Sequence, residues 1–145
     1  MKTLAKVLLA FTVIAALAVG FYFVSSNLKA TYTVEVVPAS ERMEAFEALK
    51  RENAFTETAD ECSFVTLRLN AVSYSPFSAE WCVLESDRFT DTLAFSERDT
   101  GPSDISPMGS GEFGCTVLVR NEKVSGNTRF SYYILGRYHS IELNK

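Results

Sequence analysis

The sequence predicts a mainly β protein: an antiparallel β-sandwich behind one apolar N-terminal helix, with a single short amphipathic helix near the start of the sandwich. Three observations predict it. From residue 55 onward apolar residues recur with period two, in short runs broken by Pro, Gly, Asn and Ser, as half-buried strands require. Ring side chains are abundant, with 11 Phe, 6 Tyr and one Trp, and these suit a pleated, half-buried surface. Residues 7–24, VLLAFTVIAALAVGFYFV, run for 18 positions without a charge.

As a helix the N-terminal run spans about 27 Å, enough to cross the hydrocarbon core of a bilayer. Lys2 and Lys6 precede it, which favours an N-terminus inside and a C-terminal domain outside the cell. A signal peptide cleaved after Ser26 is the alternative, and it would make the protein secreted. The run exceeds the roughly 7 to 15 residues of a signal core, and Phe21 to Phe23 stand where small residues are expected, so an uncleaved anchor is preferred. Residues 1–30 are therefore anchor and short linker, and 31–145 one extracytoplasmic domain of a size that supports a single core.

After the linker, ATYTVEVV sets Tyr32, Val34 and Val36 against Thr31, Thr33 and Glu35, a strand ended by Pro38. SERMEAFEALKREN then offers Ser40 as N-cap, Glu41 and Glu44 in the first turn, and Lys50 and Arg51 in the last. Met43, Phe46 and Leu49 make one apolar stripe, with Glu47 and Arg51 spaced to pair opposite it. Mixed charge on the polar face predicts docking on the sheet and not on lipid. SFVTLRLNAV places Val65, Leu67, Leu69 and Ala71 on one face of the next strand. AEWCVLES and RFTDTLAFS follow as strands, the second presenting Phe89, Asp91, Leu93 and Phe95 together. The stretch 97–112 holds two Pro and three Gly and is the longest irregular piece. FGCTVLVR, a turn, and RFSYYILGRYHSIEL complete the domain, with Gly136 expected as a bulge or bend in the last strand.

Charge excludes one class of function. All 18 acidic residues follow residue 30 but only 11 of the 14 basic ones do, so the domain carries a net −7 and repels nucleic acid phosphates. The glycines of MGSGEFGCTV, Gly109, Gly111 and Gly114, have dinucleotide-site spacing. Yet Pro107 precedes them where a strand is needed, and a strand pattern follows where a helix is needed. They are expected to form a flexible turn feeding a core strand.

Three cysteines, Cys62, Cys82 and Cys115, allow at most one internal disulfide. Alternation puts Cys115 on the face of Phe113, Val117 and Val119 as a small buried hydrophobe, which leaves Cys62 and Cys82 as the pair if one forms. The single His139 is expected on an edge strand facing solvent. Grouped with Cys115 and Arg137 it would supply a sortase-like set, but in sortases the His precedes the Cys. Asp87, Asp91, Glu97, Asp99 and Asp104 lack calcium-loop spacing. No catalytic, cofactor or metal site is assigned. Tyr74, Phe77 and Trp81 in YSPFSAEW are the candidate ligand contacts, as an aromatic platform.

The succession of NAVSYSPFSAEW, an acidic loop, a Pro-Gly-rich turn, CTVLVR and SYYILGR resembles small uncharacterised bacterial proteins with one N-terminal anchor and an extracytoplasmic immunoglobulin-like β-sandwich. The resemblance implies fold and location only. The expected function is a membrane-anchored, non-enzymatic interaction module that binds another envelope protein through a sheet edge or the 97–112 loop. The alternative is a cell-wall glycan binder using Trp81.

Overall fold

Alternation decides which side of each strand is dry, and register then decides what the dry sides share. The structure is a computed structural model that describes residues 2–25, 28–98 and 101–143. One antiparallel sheet holds β1 (Leu28–Pro38), β2 (Cys62–Ser73), β4 (Ala94–Glu97) and β5 (Ser110–Arg120) in the order β1-β2-β5-β4. The other holds β3 (Glu80–Ser86), β6 (Thr128–Ile134) and β7 (Arg137–Glu142) in the order β3-β6-β7. Among the described residues two α-helices accompany them, α1 (Lys2–Ser25) and α2 (Met43–Asn53). Within α1, Thr3–Phe23 is long and apolar enough to cross a membrane, and its apolar window is not buried inside the rest of the chain.

Register pairs Leu67 with Cys115 and Leu69 with Phe113 across β2 and β5, so the inward residues of both strands form continuous rows. Against them pack Leu84, Phe130, Tyr132 and Ile134 of the second sheet. The Phe113 and Phe130 rings meet edge to face at 4.9 Å, joining the two layers.

The outer face of the larger sheet changes character along its length. Near the start of β1 it is polar, with Thr33, Arg68 and Gly114 in one row. At the far end the row becomes Val37, Phe64, Leu118 and Ala94. There α2 docks as expected, burying Phe46 and Leu49 on Phe64 and Leu118, which for Phe46 alone removes enough apolar surface to stabilise by about 2–3 kcal/mol. Met43 stays exposed and is not part of the buried stripe. Ser40 lies inside a 3-10 turn, Ala39–Arg42, and the N-cap position falls to Arg42 without a side-chain cap. Arg51 donates to the Glu47 carbonyl (3.2 Å), not to its carboxylate. Ala54 closes the helix in the left-handed conformation, its N–H on the Lys50 carbonyl.

Several expectations are corrected. Val36 is exposed although its row partners Val65 and Val117 are buried between the sheets, because β1 is the edge strand of its sheet. The strand expected through Arg88 and Phe89 is instead a 3-10 turn, Asp87–Phe89, and β4 is only four residues long. The turn forms because Arg88 is drawn inward by hydrogen bonds that an extended strand could not supply. Gly136 is no bulge: Ile134 pairs with Arg137, so Leu135 and Gly136 form a two-residue hairpin, both with positive φ (49° and 72°) as a primed turn requires.

The described part of the 97–112 stretch is not a free loop. Ile105 is fully buried and forms an antiparallel bridge with Ala79, while the Cys82 N–H donates to the Ser103 carbonyl at 2.7 Å. The segment thus lies along the edge of β3. Nor do the three spaced glycines make a flexible turn, since Gly111 and Gly114 belong to β5 and none of the three has positive φ. Gly111 is needed for close approach. A Cβ there would lie 3.0 to 3.2 Å from Pro102, Ile105 and Phe113.

Candidate functional site

Of the expected platform residues, Trp81 takes a position of its own. It sits at φ 54° in an irregularity between Glu80 and Val83, where the register of β3 on β6 shifts. Its N–H is held by the Asp104 carboxylate at 3.1 Å. This bulge turns Cys82 inward, where its thiol donates to the Ala79 carbonyl, and leaves the Trp81 side chain 74 % exposed.

Around Trp81 the outer face of the three-stranded sheet forms a shallow depression of about 500 Å³, lined by Val83, Tyr133, Gly136 and Tyr138 with Glu80, Glu85 and Ser131. Tyr133 and Tyr138 are cross-strand partners whose rings meet edge to face at 5.6 Å. Both are exposed. Tyr74 and Phe77 do not line this depression. Phe77 lies against the Tyr22 ring of α1 (6.2 Å), and the Lys29 ammonium lies over Tyr74 (5.5 Å). Sequence reasoning missed Tyr133 and Tyr138. Reading Leu135-Gly136 as a hairpin turn would have found them, because that register puts both rings on one face.

A second concavity, about 410 Å³, lies on the polar outer face of the larger sheet and is lined by Thr31, Thr33, Arg68, Asn70, Glu97 and Glu112, with Gly114 among them. Gly114 therefore deepens a groove and does not approach a phosphate.

The cysteines are separated by the fold. Cys62 is buried beneath α2 on one side of the larger sheet, and Cys82 between the sheets on the other; both are free thiols. The expected Cys62–Cys82 pairing is thus corrected, since a sheet stands between them. Cys115 is buried with Phe113, Val117 and Val119 as expected. Burial, and then the nearby Glu57 and Glu61 charges, push the Cys62 thiol up, and burial pushes Cys82 up to about 11. Iodoacetamide is expected to leave Cys62 and Cys82 unmodified in native protein and to alkylate both after denaturation. Peptide mapping checks this, and a Cys62–Cys82 disulfide peptide would contradict it.

His139 does not face solvent. Its ring stacks on Tyr132 (5.3 Å, 11°) and its Nε2 is buried without a hydrogen bond. Burial, and next the Arg137 charge, hold its pKa below the usual value, so the neutral ring is favoured. It stands on the sheet opposite that of Cys115. The acids considered for calcium are dispersed: Asp87 accepts from the Asn127 N–H, Asp91 pairs with Lys123 (3.0 Å), Asp104 holds Trp81 and Glu97 lines the polar groove. Asp99 lies outside the described residues.

No family model matches the chain, and no curated protein matches it. Among solved structures it is similar to an uncharacterised β-sandwich protein from Clostridium difficile 630, with a TM-score of 0.35, 8 % identity, and coverage of 83 % of this chain and 87 % of that one.

Proposed function

We propose that the chain is a single-pass, membrane-anchored, non-enzymatic interaction module whose immunoglobulin-like sandwich stands outside the membrane and binds another envelope protein through the outer face of β3-β6-β7. The strand order supports the immunoglobulin-like reading: β1-β2-β5-β4 against β3-β6-β7 corresponds to A-B-E-D against C-F-G of a constant-type domain. In that fold a strand-C tryptophan is buried. Here the equivalent strand bulges and puts Trp81 in solvent, beside Tyr133, Tyr138 and Val83.

That exposed aromatic cluster is the observation that carries the proposal. Trp and Tyr dominate binding energy at protein interfaces, where a polar rim excludes water from an apolar centre. The exposed Glu80 and Glu85 supply such a rim. The segment along β3 covers that strand's edge, so this face, and not strand addition at β3, is the contact.

A photo-crosslinking residue at Tyr138 is expected to capture a membrane neighbour in cells, and the same residue at Thr33 in the polar groove is not. With the captured protein purified, Trp81→Ala should weaken binding at least about tenfold, the scale of an interface anchor. Unchanged affinity would sink the proposal. A glycan-binding reading is favoured by the three rings beside two carboxylates, Glu80 and Glu85, an arrangement that suits sugar faces and hydroxyls. Retention on cell-wall polysaccharide, lost in Trp81→Ala, would select it.

A further inference from the structure

The end of the sandwich next to α1 carries an apolar rim. Two hydrogen bonds set the directions of the strands: Tyr32 Oη with Thr128 Oγ1 (2.8 Å), and the Leu28 N–H to Tyr132 Oη (3.3 Å). Leu28 begins β1, so β6 runs back toward that beginning and its hairpin tip, Leu135-Gly136, projects past it. On the other sheet Leu28 pairs with Ser73, the Ser73 N–H donates to the Gly109 carbonyl (2.8 Å), and the Met108 N–H donates to the Ser75 carbonyl (3.0 Å). Three connections therefore meet where the sandwich faces α1.

Each connection presents a large apolar side chain to solvent: Tyr74 and Phe77 from one, Met108 (67 % exposed) from the second and Leu135 (59 %) from the third. Met108 and Leu135 do so at φ 55° and 49°, where a bulky residue is strained and Gly or Asn is the usual choice. Loop tips in water carry small polar residues. Here the chain bears both the strain and the exposure. The basic groups near the rim are Lys29, over the Tyr74 ring, and Arg137, after the hairpin tip; among the described residues Asp104 is engaged by the Trp81 N–H, and Glu80 stands beside Tyr133 on the sheet face.

The occupant follows from the tether. Two residues separate Ser25, the last of α1, from Leu28, the first of β1. At no more than about 3.6 Å per residue, they keep Leu28, at the rim end of the sandwich, within about 11 Å of the helix end. Phe77 already lies against Tyr22. Aromatic rings with nearby basic side chains are what the headgroup layer of a bilayer accepts.

Resting on the anchored reading above, we propose that Tyr74, Phe77, Met108 and Leu135 enter the headgroup–acyl boundary of the leaflet from which α1 emerges, so that the sandwich stands fixed on the membrane. The Tyr133–Tyr138 pair is the next register position from the tip-closing Ile134–Arg137 pair. A docked rim therefore points the Trp81 face sideways, at a neighbour in the same membrane.

The test uses the full chain reconstituted into vesicles of phosphatidylcholine and phosphatidylglycerol, with an environment-sensitive fluorophore at Met108→Cys, Leu135→Cys, Glu44→Cys or Ala16→Cys and spin-labelled lipids as quenchers. Glu44 is exposed on α2, beyond the far end of the 11-residue β1, and Ala16 is mid-helix in α1. The probes at 108 and 135 are expected to shift to the blue and be quenched by labels near the headgroup, with neither change at 44 and deep quenching at 16. Deep quenching at 16 with 108 and 135 behaving like 44 would overturn the rim and leave the anchor standing. No quenching at 16 would overturn the anchor and the rim with it.

Discussion

Arg88→Ala is expected to lower the unfolding free energy by about 3 kcal/mol, because a charged donor making several bonds at a buried site is replaced by nothing. Arg88 is 8 % exposed, although it lies in a turn between strands. Its Nε donates to the Val124 carbonyl (2.7 Å), and Nη1 to Thr128 Oγ1 (3.0 Å) and Ser86 Oγ (3.3 Å). One guanidinium thus ties the connection after β3 to the connection before β6. No carboxylate pairs with it among the described residues, so neutral oxygens carry the whole solvation of a buried charge.

Arg88→Lys retains the charge but not the planar fork that reaches two segments at once. It is expected to recover less than half of the loss. Urea denaturation of the full chain in detergent, followed by the fluorescence of the single Trp, measures both variants. A Lys variant as stable as the parent would show that charge alone, not the geometry of the fork, is what the site needs.

How far this arrangement was legible depends on the kind of signal. Alternation placed Val65, Leu67, Leu69 and Ala71 inward, and the structure puts all four in the core between the sheets. A three-residue spacing found the α2 contacts Phe46 and Leu49, and wrongly joined the exposed Met43 to them. The strands also held a signal for where α2 docks: Phe64 beside Val65 and Leu118 beside Val119 break the alternation, as strands covered on both faces do.

What remained hidden was set by backbone geometry that propensity does not report. Arg88 was read as part of a strand, but hydrogen bonds to residues 36 and 40 positions away in sequence draw it in. Trp81 was singled out and is exposed, yet its neighbours Tyr133 and Tyr138 depended on seeing a hairpin where Leu, a poor residue for positive φ, holds the first turn position. Tyr74 and Phe77 were grouped with Trp81 by proximity in sequence, whereas the bulge at Trp81 sends them to different surfaces.

Gly101→Ala is expected to cost about 3 kcal/mol, at the upper end of what overpacking a core commonly does. A Cβ there would lie 2.0 Å from Cδ1 of Phe113, and 2.7 Å from its Cε1 and Cγ. The ring cannot step aside freely, since it is buried and packed edge to face on Phe130. Either Phe113 leaves its rotamer or the following segment lifts from β3, taking Ile105 from the core. Gly136→Ala is the control, because its φ of 72° strains any side chain while nothing lies within 4 Å of the added methyl. That variant should lose about 1 kcal/mol, the conformational part alone. If steric conflict with the ring is the cause, Phe113→Leu should cost less in the Gly101→Ala background than in the parent, a coupling that thermal denaturation of all four proteins resolves. The same segment carries Asp104, which holds the Trp81 N–H, so lifting it releases the bulge. Gly101→Ala should therefore change the Trp81 emission below the unfolding transition, and Gly136→Ala should leave it closer to the parent. Equal losses in the two glycine variants, without coupling to position 113, would mean that the segment along β3 does not hold the Trp81 face in place.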